Sequence, residues 1–453
     1  MIAFDGDRLA SAAGAEVLAS GGSGGPARVV IDSREVQDGD LFVGLPGERA
    51  DGGEFGAAAL RDGAWGILVG AQWGRELAAQ RRVGASDDAS WILGAADPLA
   101  SLQSLARAWR EQLGCRVVGI TGSTGKTSVK DVCRALLPAK VQASPENFNT
   151  EIGLPLAVLA APEGTEVLVL EMGMRGPGQI AELCAIAEPD VGVITNIGPV
   201  HIELLGSVEA IAATKAEIID GLHPDGTAVV PAARGPLDRH LDRAPNLLRF
   251  GAGGDVEAVE VRRDEGEIDA QVRTPAGEGP FRLPFAEAHN VDNALAAIAV
   301  GVALGFPLDE MADQAPGIVF SRLRGELVEL PENAILINDC YNANPVSMRA
   351  ALDHLATLRA GGRRLAVLGE MRELGPEAPA YHREIGEHAR ERGVELIIGV
   401  GELAAGYGPD LEVADAEAAA DALAESLAPG DTVLVKGSRA VGLERVAEKL
   451  AEG

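Results

Sequence analysis

The chain has 453 residues, enough for about three domains of roughly 150 residues, each large enough for a hydrophobic core. It carries 39 Lys and Arg against 68 Asp and Glu, a net charge of −29, which argues against nucleic acid or an anionic membrane as partner, because both require clustered cations. The four cysteines, Cys115, Cys133, Cys184 and Cys340, show no CxxC spacing and indicate a reducing cytoplasm rather than a disulfide frame or a zinc site.

The N-terminus, MIAFDGDRLAS, has acids where a signal peptide needs bases followed by an apolar run. Residues 1–95 contain short apolar runs, ARVVID, GDLFVGL and WGILVG, broken by Gly, Pro and Asp, and read as a small mixed α/β domain. From about 96 to 318 strands and helices alternate, which predicts a mostly parallel sheet wrapped by helices, with ligands at the carboxyl ends of the strands. From 319 to 453 the rhythm restarts with AILIND, RLAVLGEM, VELIIGVG and DTVLVKGS. This reads as a second α/β unit of Rossmann-like type; without GxGxxG at its strand ends it does not indicate a dinucleotide site. No apolar run is long enough to span a membrane, and the longest, Ala294 to Leu308, reads as a buried helix.

The most informative segment is CRVVGITGSTGKTSVKDVCRALL at 115–137: an apolar strand, a glycine-rich turn, then Lys126 and Thr127 opening a helix. Backbone N–H groups of Gly122, Ser123, Thr124, Gly125 and Ser128 can crowd around phosphate oxygens, Lys126 supplies a point charge, and the Thr127 hydroxyl can ligate Mg²⁺. One departure stands out: the strict pattern places glycine five residues before Gly125, where this chain has Ile120.

Further along, the strand VLVLEMG ends in Glu171, a natural ligand for a hard cation, and VGVITNIG leads to His201 on the same rim, which reads equally as a turn histidine. In SVEAIAATKAEIIDGL, positions 208, 211, 215, 218 and 222 share one helical face and read Val, Ile, Lys, Ile, Leu. Lys215 thus interrupts an apolar stripe. Either it snorkels to water, or burial depresses its pKa and leaves an amine able to take up CO₂ as a magnesium-binding carbamate. HNVDNALAAIA brings His289, Asn290 and Asn293 to a helix start, Arg322 and Arg324 lie at the boundary of the last domain, and Asp339 ends AILIND before a turn holding Asn342 and Asn344. Amides in such places are commonly caps and turn formers.

Taken together, these residues resemble the ATP-dependent Mur ligases of peptidoglycan synthesis. GSTGKT at 122–127, NFNTEIGLP at 147–155, EMG at 171–173, TNIGPVHIELLGS at 195–207, TKAEI at 214–218, HNVDNALAA at 289–297 and RGE at 324–326 match that family's core in order, over essentially the whole chain. Within the family, DCYNANPVSM at 339–348, GEMRELG at 369–375, Tyr381–His382 and VLVKGSRAVGLE at 433–444 are most similar to members that join D-alanyl-D-alanine to UDP-N-acetylmuramoyl-tripeptide. The segment DSREVQDGDLFVGLPGERADGGEF resembles their uridine-nucleotide region. Two segments depart from the pattern: Gly53 stands where histidine is usual, and Glu370 and Arg372 stand where GDMLELG is common.

The resemblance implies an amide ligase of three domains, 1–95, 96–318 and 319–453, working as a cytoplasmic monomer with ATP and Mg²⁺. Lys126 and the loop would hold the β- and γ-phosphates, Thr127 and Glu171 one Mg²⁺, and His201 with carbamylated Lys215 a second. Asn290 would meet adenine, and Arg324 and Asp339 would close onto the nucleotide from the third domain. Asp32, Ser33 and Arg34 would contact the uridine nucleotide, Asn147 the precursor, and Asn342 and Asn344 the dipeptide. A sibling ligase adding the third amino acid, a folylpolyglutamate synthase, or an ATPase switch that joins nothing are the rival expectations; the CYNANP turn argues against the first two.

Overall fold

The computed structural model describes residues 4–84, 90–145, 147–233, 235–264, 266–358 and 361–452. The first three residues of the N-terminal segment lie outside this set. The fold is α/β, built on three largely parallel sheets and one small antiparallel one.

The first sheet comprises β1 (Glu16–Ala19), β2 (Val29–Val30), β3 (Leu41–Val43), β4 (Gly66–Gly70) and β5 (Trp91–Ala95) in the order β1-β5-β4-β3-β2, parallel except for the edge strand β1. The central sheet holds β6 (Arg116–Thr121), β7 (Val141–Ala143), β8 (Val167–Glu171), β9 (Val191–Ile194), β10 (Thr227–Pro231) and β11 (Asn246–Phe250), all parallel, ordered β11-β10-β9-β6-β8-β7. From β6 the chain runs to the edge strand β7, returns to β8 beside β6, and then crosses to the other side for β9, β10 and β11. The reversal leaves a crevice at the carboxyl end of β6, the point where doubly wound sheets bind ligands.

The alternating pattern over 96–318 does not anticipate the next three strands. β12 (Glu257–Asp264), β13 (Glu267–Thr274) and β14 (Gly277–Leu283) form an antiparallel meander. β13 alternates buried and exposed residues, with Ile268, Ala270 and Val272 pointing inward, because only one face is covered, while β12 is exposed along most of its length. The last sheet is β15 (Glu326–Glu329), β16 (Ile335–Asn338), β17 (Arg364–Gly369), β18 (Val394–Val400), β19 (Leu411–Val413) and β20 (Thr432–Lys436), ordered β15-β16-β20-β17-β18-β19, parallel but for β15.

Six helices matter for the site: α1 (Gly6–Ala13), α2 (Pro98–Leu113), α3 (Lys126–Leu136), α4 (Val208–Lys215), α5 (Ala288–Leu304) and α6 (Pro345–Thr357). α2 ties the first unit to the central one: its Trp109 packs edge-on against Phe4 at 5.5 Å and shares one core with Leu9, Leu154 and Leu168. α3 buries Val129, Val132, Cys133 and Leu136 in a second core with Ala294, Leu295 and Ile298 of α5. Each large aliphatic buried this way contributes roughly 1.5–3 kcal/mol, so the helix that carries the phosphate loop is anchored along its length.

Two helical expectations need correction. The apolar run Ala294 to Leu308 is not one helix: α5 stops at Leu304 because Gly305 takes a left-handed conformation at φ 83° and Pro307 comes two residues later. The Lys215 segment is likewise two pieces, with α4 ending at Lys215 and a separate turn over Glu217–Asp220. No helix among the described residues is long and apolar enough to cross a membrane.

Candidate functional site

A cleft of about 1790 Å³ opens at the carboxyl end of β6 and is lined by residues of all three units, from Ala27–Ile31 through the phosphate loop to Asp339 and Lys436. The loop's shape derives from its glycines. Gly122 and Gly125 have φ of 151° and 78°, and a Cβ on Gly125 would lie 2.6 Å from Asn293 Oδ1. The loop is also latched from outside: Thr124 N–H donates to Asn196 Oδ1 at 2.9 Å, Asn196 Nδ2 donates to Thr124 Oγ1 at 2.5 Å, and Ser123 Oγ donates to the Gly198 carbonyl at 3.1 Å. The amides of Lys126, Thr127 and Ser128 open α3, where the helix dipole favours anions. Lys126 Nζ donates to the Gly122 carbonyl at 2.9 Å, and burial holds its pKa below the usual lysine range although Glu171 opposes the shift.

Glu171 is 2% exposed at the end of β8. Its Oε1 has no hydrogen-bond partner and its nearest cation is Lys130 Nζ at 3.9 Å. A buried carboxylate oxygen left open in a cleft suits a hard cation, and the Thr127 hydroxyl on α3 is a second oxygen of the right kind. Lys215, 2% exposed, does not snorkel; it lines the cleft, and burial, reinforced by the charge of Lys126, drives its pKa well below the usual lysine value. His201 lies at positive φ (55°) with Nδ1 against a carboxylate oxygen of Glu373, a residue of the third unit. Burial lowers the His201 pKa against the pull of Glu373. Among the described residues no three His, Cys, Asp or Glu side chains cluster as a metal site; the oxygen and nitrogen donors here are mixed with Thr127 and Lys215.

From the third unit, Arg324 reaches the phosphate loop. Leu323 and Gly325 on either side take φ of 63° and 75°, turning the chain sharply enough for the guanidinium to donate to Thr127 Oγ1 at 2.7 Å while lying 4.2 Å from the centre of the Tyr341 ring. Arg322, the other arginine singled out in the sequence, is exposed and outside the cleft. Asp339 pairs with Lys436 Nζ at 2.7 Å, and the same ammonium donates to the Asn342 carbonyl at 3.0 Å. Lys436 stands in the matching segment VLVKGSRAVGLE, but sequence reasoning gives it no role, since only the parallel register of β16 and β20 brings it to Asp339.

His289, Asn290 and Asn293 share the wall at the start of α5, where Asn293 Nδ2 donates to Asn290 Oδ1 at 2.8 Å. Asn147, Ser128, Asn342 and Asn344 also line the cleft. The Asn344 oxygen accepts from Ser347 N–H at 3.0 Å and caps α6, so the turn reading holds for that atom. Asp32, Ser33 and Arg34 are not brought into the cleft wall, which takes in Ile31 and Glu35 instead. Asp32 is occupied locally, accepting from the Arg34 backbone N–H at 2.9 Å and pairing with its guanidinium, which brings its pKa down to about 2. Of the unusual positions, Gly53 has a structural counterpart: a Cβ there would stand 2.3 Å from Trp73 Cδ1, so a side chain enters only if the Trp73 ring shifts. Glu370 and Arg372 pair with each other at 3.3 Å.

A phosphate loop at a topological switch point, carrying an arginine from a neighbouring unit and open carboxylate and amine groups, defines a nucleotide-dependent group-transfer enzyme of modular α/β build. Comparison with known proteins narrows the class. The Mur ligase middle domain matches residues 120–301, and the glutamate ligase domain of Mur ligases matches 323–439. The UDP-N-acetylmuramoyl-tripeptide–D-alanyl-D-alanine ligase of Bacillus subtilis is 35% identical over 436 residues, covering 94% of this chain and 93% of that protein. Among solved structures, MurF from Acinetobacter baumannii superposes with a TM-score of 0.87 at 28% identity over the full length of both chains. MurF ligase from Thermotoga maritima, solved in complex with ADP, superposes at 0.81 with 33% identity, covering 94% of this chain and 97% of that one. The chain belongs to the Mur ligases, ATP-dependent enzymes that form amide bonds.

Proposed function

We propose that this enzyme joins D-alanyl-D-alanine to UDP-N-acetylmuramoyl-tripeptide in the cytoplasmic assembly of peptidoglycan precursor. The observation that carries this reading is the convergence of all three units on one cleft, with Arg324 of the third unit donating to the Thr127 hydroxyl of the phosphate loop. The Bacillus subtilis relative, which covers nearly the whole chain, and the two MurF structures support the choice of substrates.

The chemistry sets what each residue must do. A carboxylate is a poor electrophile, so its oxygen attacks the γ-phosphorus of ATP, ADP leaves, and an acyl phosphate results. The dipeptide amine then attacks the carbonyl carbon; phosphate leaves and the nitrogen gives up a proton. Lys126 and the loop amides hold the β- and γ-phosphates, and Arg324 adds a planar cation where charge accumulates. Magnesium, when bound, neutralises the crowded phosphate oxygens. Thr127, Glu171, His201 and Lys215 are the residues that would hold it. Lys215 fits this role as a carbamate: burial disfavours its charged form, and the amine, once deprotonated, adds to CO₂, losing one further proton and gaining the anionic oxygens that a metal prefers. Asn290 takes the adenine, Arg324 and Asp339 close onto the nucleotide from the third unit, Asn147 contacts the precursor, and Asn342 and Asn344 help place the dipeptide; Asp32, Ser33 and Arg34, which lie outside the cleft wall, meet the uridine end of the precursor only by giving up their local cap and ion pair. The domains divide near residues 95 and 319.

Phosphate release measured with the dipeptide and the UDP-tripeptide omitted in turn tests this reading. Release is expected only when both are present. Undiminished release without the dipeptide would identify an ATPase switch instead.

A further inference from the structure

Glu373 belongs to none of the roles above, yet its side chain, like that of Arg324, reaches from the third unit to the rim of the phosphate site. Its carboxylate meets His201 Nδ1 and lies 3.8 Å from the Arg175 guanidinium, while its carbonyl accepts from Glu203 N–H at 3.4 Å. Both partners hold left-handed backbone conformations that side chains disfavour, His201 at φ 55° and Glu373 at φ 62°. Strain on both sides of one contact indicates that the geometry is imposed rather than incidental.

The loop that presents Glu373 is held from behind. Ser438 Oγ accepts from Arg372 N–H at 3.0 Å, and Ser438 N–H donates to the Glu370 carbonyl at 3.0 Å. Met371 N–H donates to His382 Nε2 at 3.0 Å, so the His382 proton is on Nδ1, where it donates to the Ala378 carbonyl at 2.7 Å. In front, Gly375 approaches Glu203 so closely that a Cβ would sit 3.3 Å from its Cα. A carboxylate fixed in this way against one ring nitrogen selects the tautomer of an imidazole and turns the other nitrogen's lone pair outward.

We propose that Glu373 is a positioning residue for His201: it accepts the Nδ1 proton, fixes the tautomer whose Nε2 can accept or ligate in the cleft, and does so only while the third unit is docked. Assembly of that part of the site is thereby tied to domain docking. The inference rests on the assignment of His201 to the reactive rim.

Histidine-selective ¹⁵N labelling tests it, because the chain has only seven histidines and a His201→Ala variant identifies the resonance. With ADP added and magnesium withheld, the parent enzyme is expected to show His201 protonated at Nδ1. Glu373→Ala should lose that signature and lower kcat at least about 10-fold, with the KM for ATP changed far less. Glu373→Gln, which keeps an acceptor oxygen, should recover most of both. An unchanged His201 resonance, or full kcat, in Glu373→Ala would overturn the inference. A fully active His201→Ala would instead remove the assignment on which it rests.

Discussion

Arg324 and Thr127 lie 197 residues apart in the chain, and the arginine's guanidinium donates a 2.7 Å hydrogen bond to the threonine's hydroxyl. The contact joins the connector of the third unit to the first turn of the phosphate-loop helix. Ser321 N–H strengthens the join by donating to Asp131 on the same helix at 2.8 Å. Nucleotide binding and the placement of the third unit therefore act on the same few atoms.

Replacing Arg324 tests that coupling. Arg324→Ala should lower kcat/KM for ATP by at least about 10²-fold and reduce ligation in step. Arg324→Lys should recover little, since an ammonium can neither stack on Tyr341 as a plane nor present two parallel donors. Steady-state phosphate release decides the matter, and full activity in the lysine variant would remove the geometric argument.

Lys215 separates stability from activity. Burial lowers its pKa, so below that lowered value the folded chain must accept a buried charge, and between it and the ordinary value of 10.5 the unfolded chain binds a proton that the folded chain gives up. Both situations destabilise the fold at neutral pH. Lys215→Met should thus raise Tm at pH 7 by several degrees, the gain shrinking as pH rises toward 10.5, while ligation is nearly abolished. Lys215→Ala should be inactive and partly rescued by small carboxylic acids if the carbamate reading holds. A fully active alanine variant would end it.

Gly53→His should cost stability rather than restore a contact. The new side chain must displace Trp73, an overpacking expected to cost about 1–3 kcal/mol. Shortening the tryptophan in a Gly53→His, Trp73→Ala double variant should return part of that loss, a non-additivity readable by denaturant titration. A single variant as stable as the parent would show that the tryptophan yields easily.

Asn344 has two functions to disentangle. Its oxygen caps α6, so Asn344→Ala should lose about 1 kcal/mol of stability whatever its role in binding. Asn344→Ser keeps a capping oxygen and should fold normally, yet raise the KM for D-alanyl-D-alanine if the amide touches the dipeptide. An unchanged KM in the serine variant assigns Asn344 to the cap alone.

Legibility in the sequence is confined to what is local. GSTGKT, Glu171 at a strand end and Lys215 in a short apolar stripe each carry their signal within a few neighbouring residues, and Ser123 to Thr127, Glu171 and Lys215 line the cleft. The meander β12–β14 and the edge strand β15 escape such a reading because strands that are exposed, as β12 is, or covered on one face, as β13 and β15 are, leave no continuous apolar run. Lys436 against Asp339, Glu373 against His201 and Arg324 against Thr127 are pairings between distant segments, fixed by sheet register and domain docking. Asp32 to Arg34 stand outside the cleft wall for the opposite reason: a short-range cap and ion pair already occupy them.

The two left-handed residues that flank Arg324 make the connector resemble a lever whose pivot lies beside its short arm. Rotation of the third unit about Leu323 and Gly325 would carry Glu373 and the Asn342–Asn344 turn through a wide arc while barely shifting the guanidinium. A misfitting amine wedged at the far end would then hold Glu373 away from His201 while Arg324 stays beside Thr127. Selection of the acceptor would be decided where the arc is longest, and retention of the nucleotide where it is shortest.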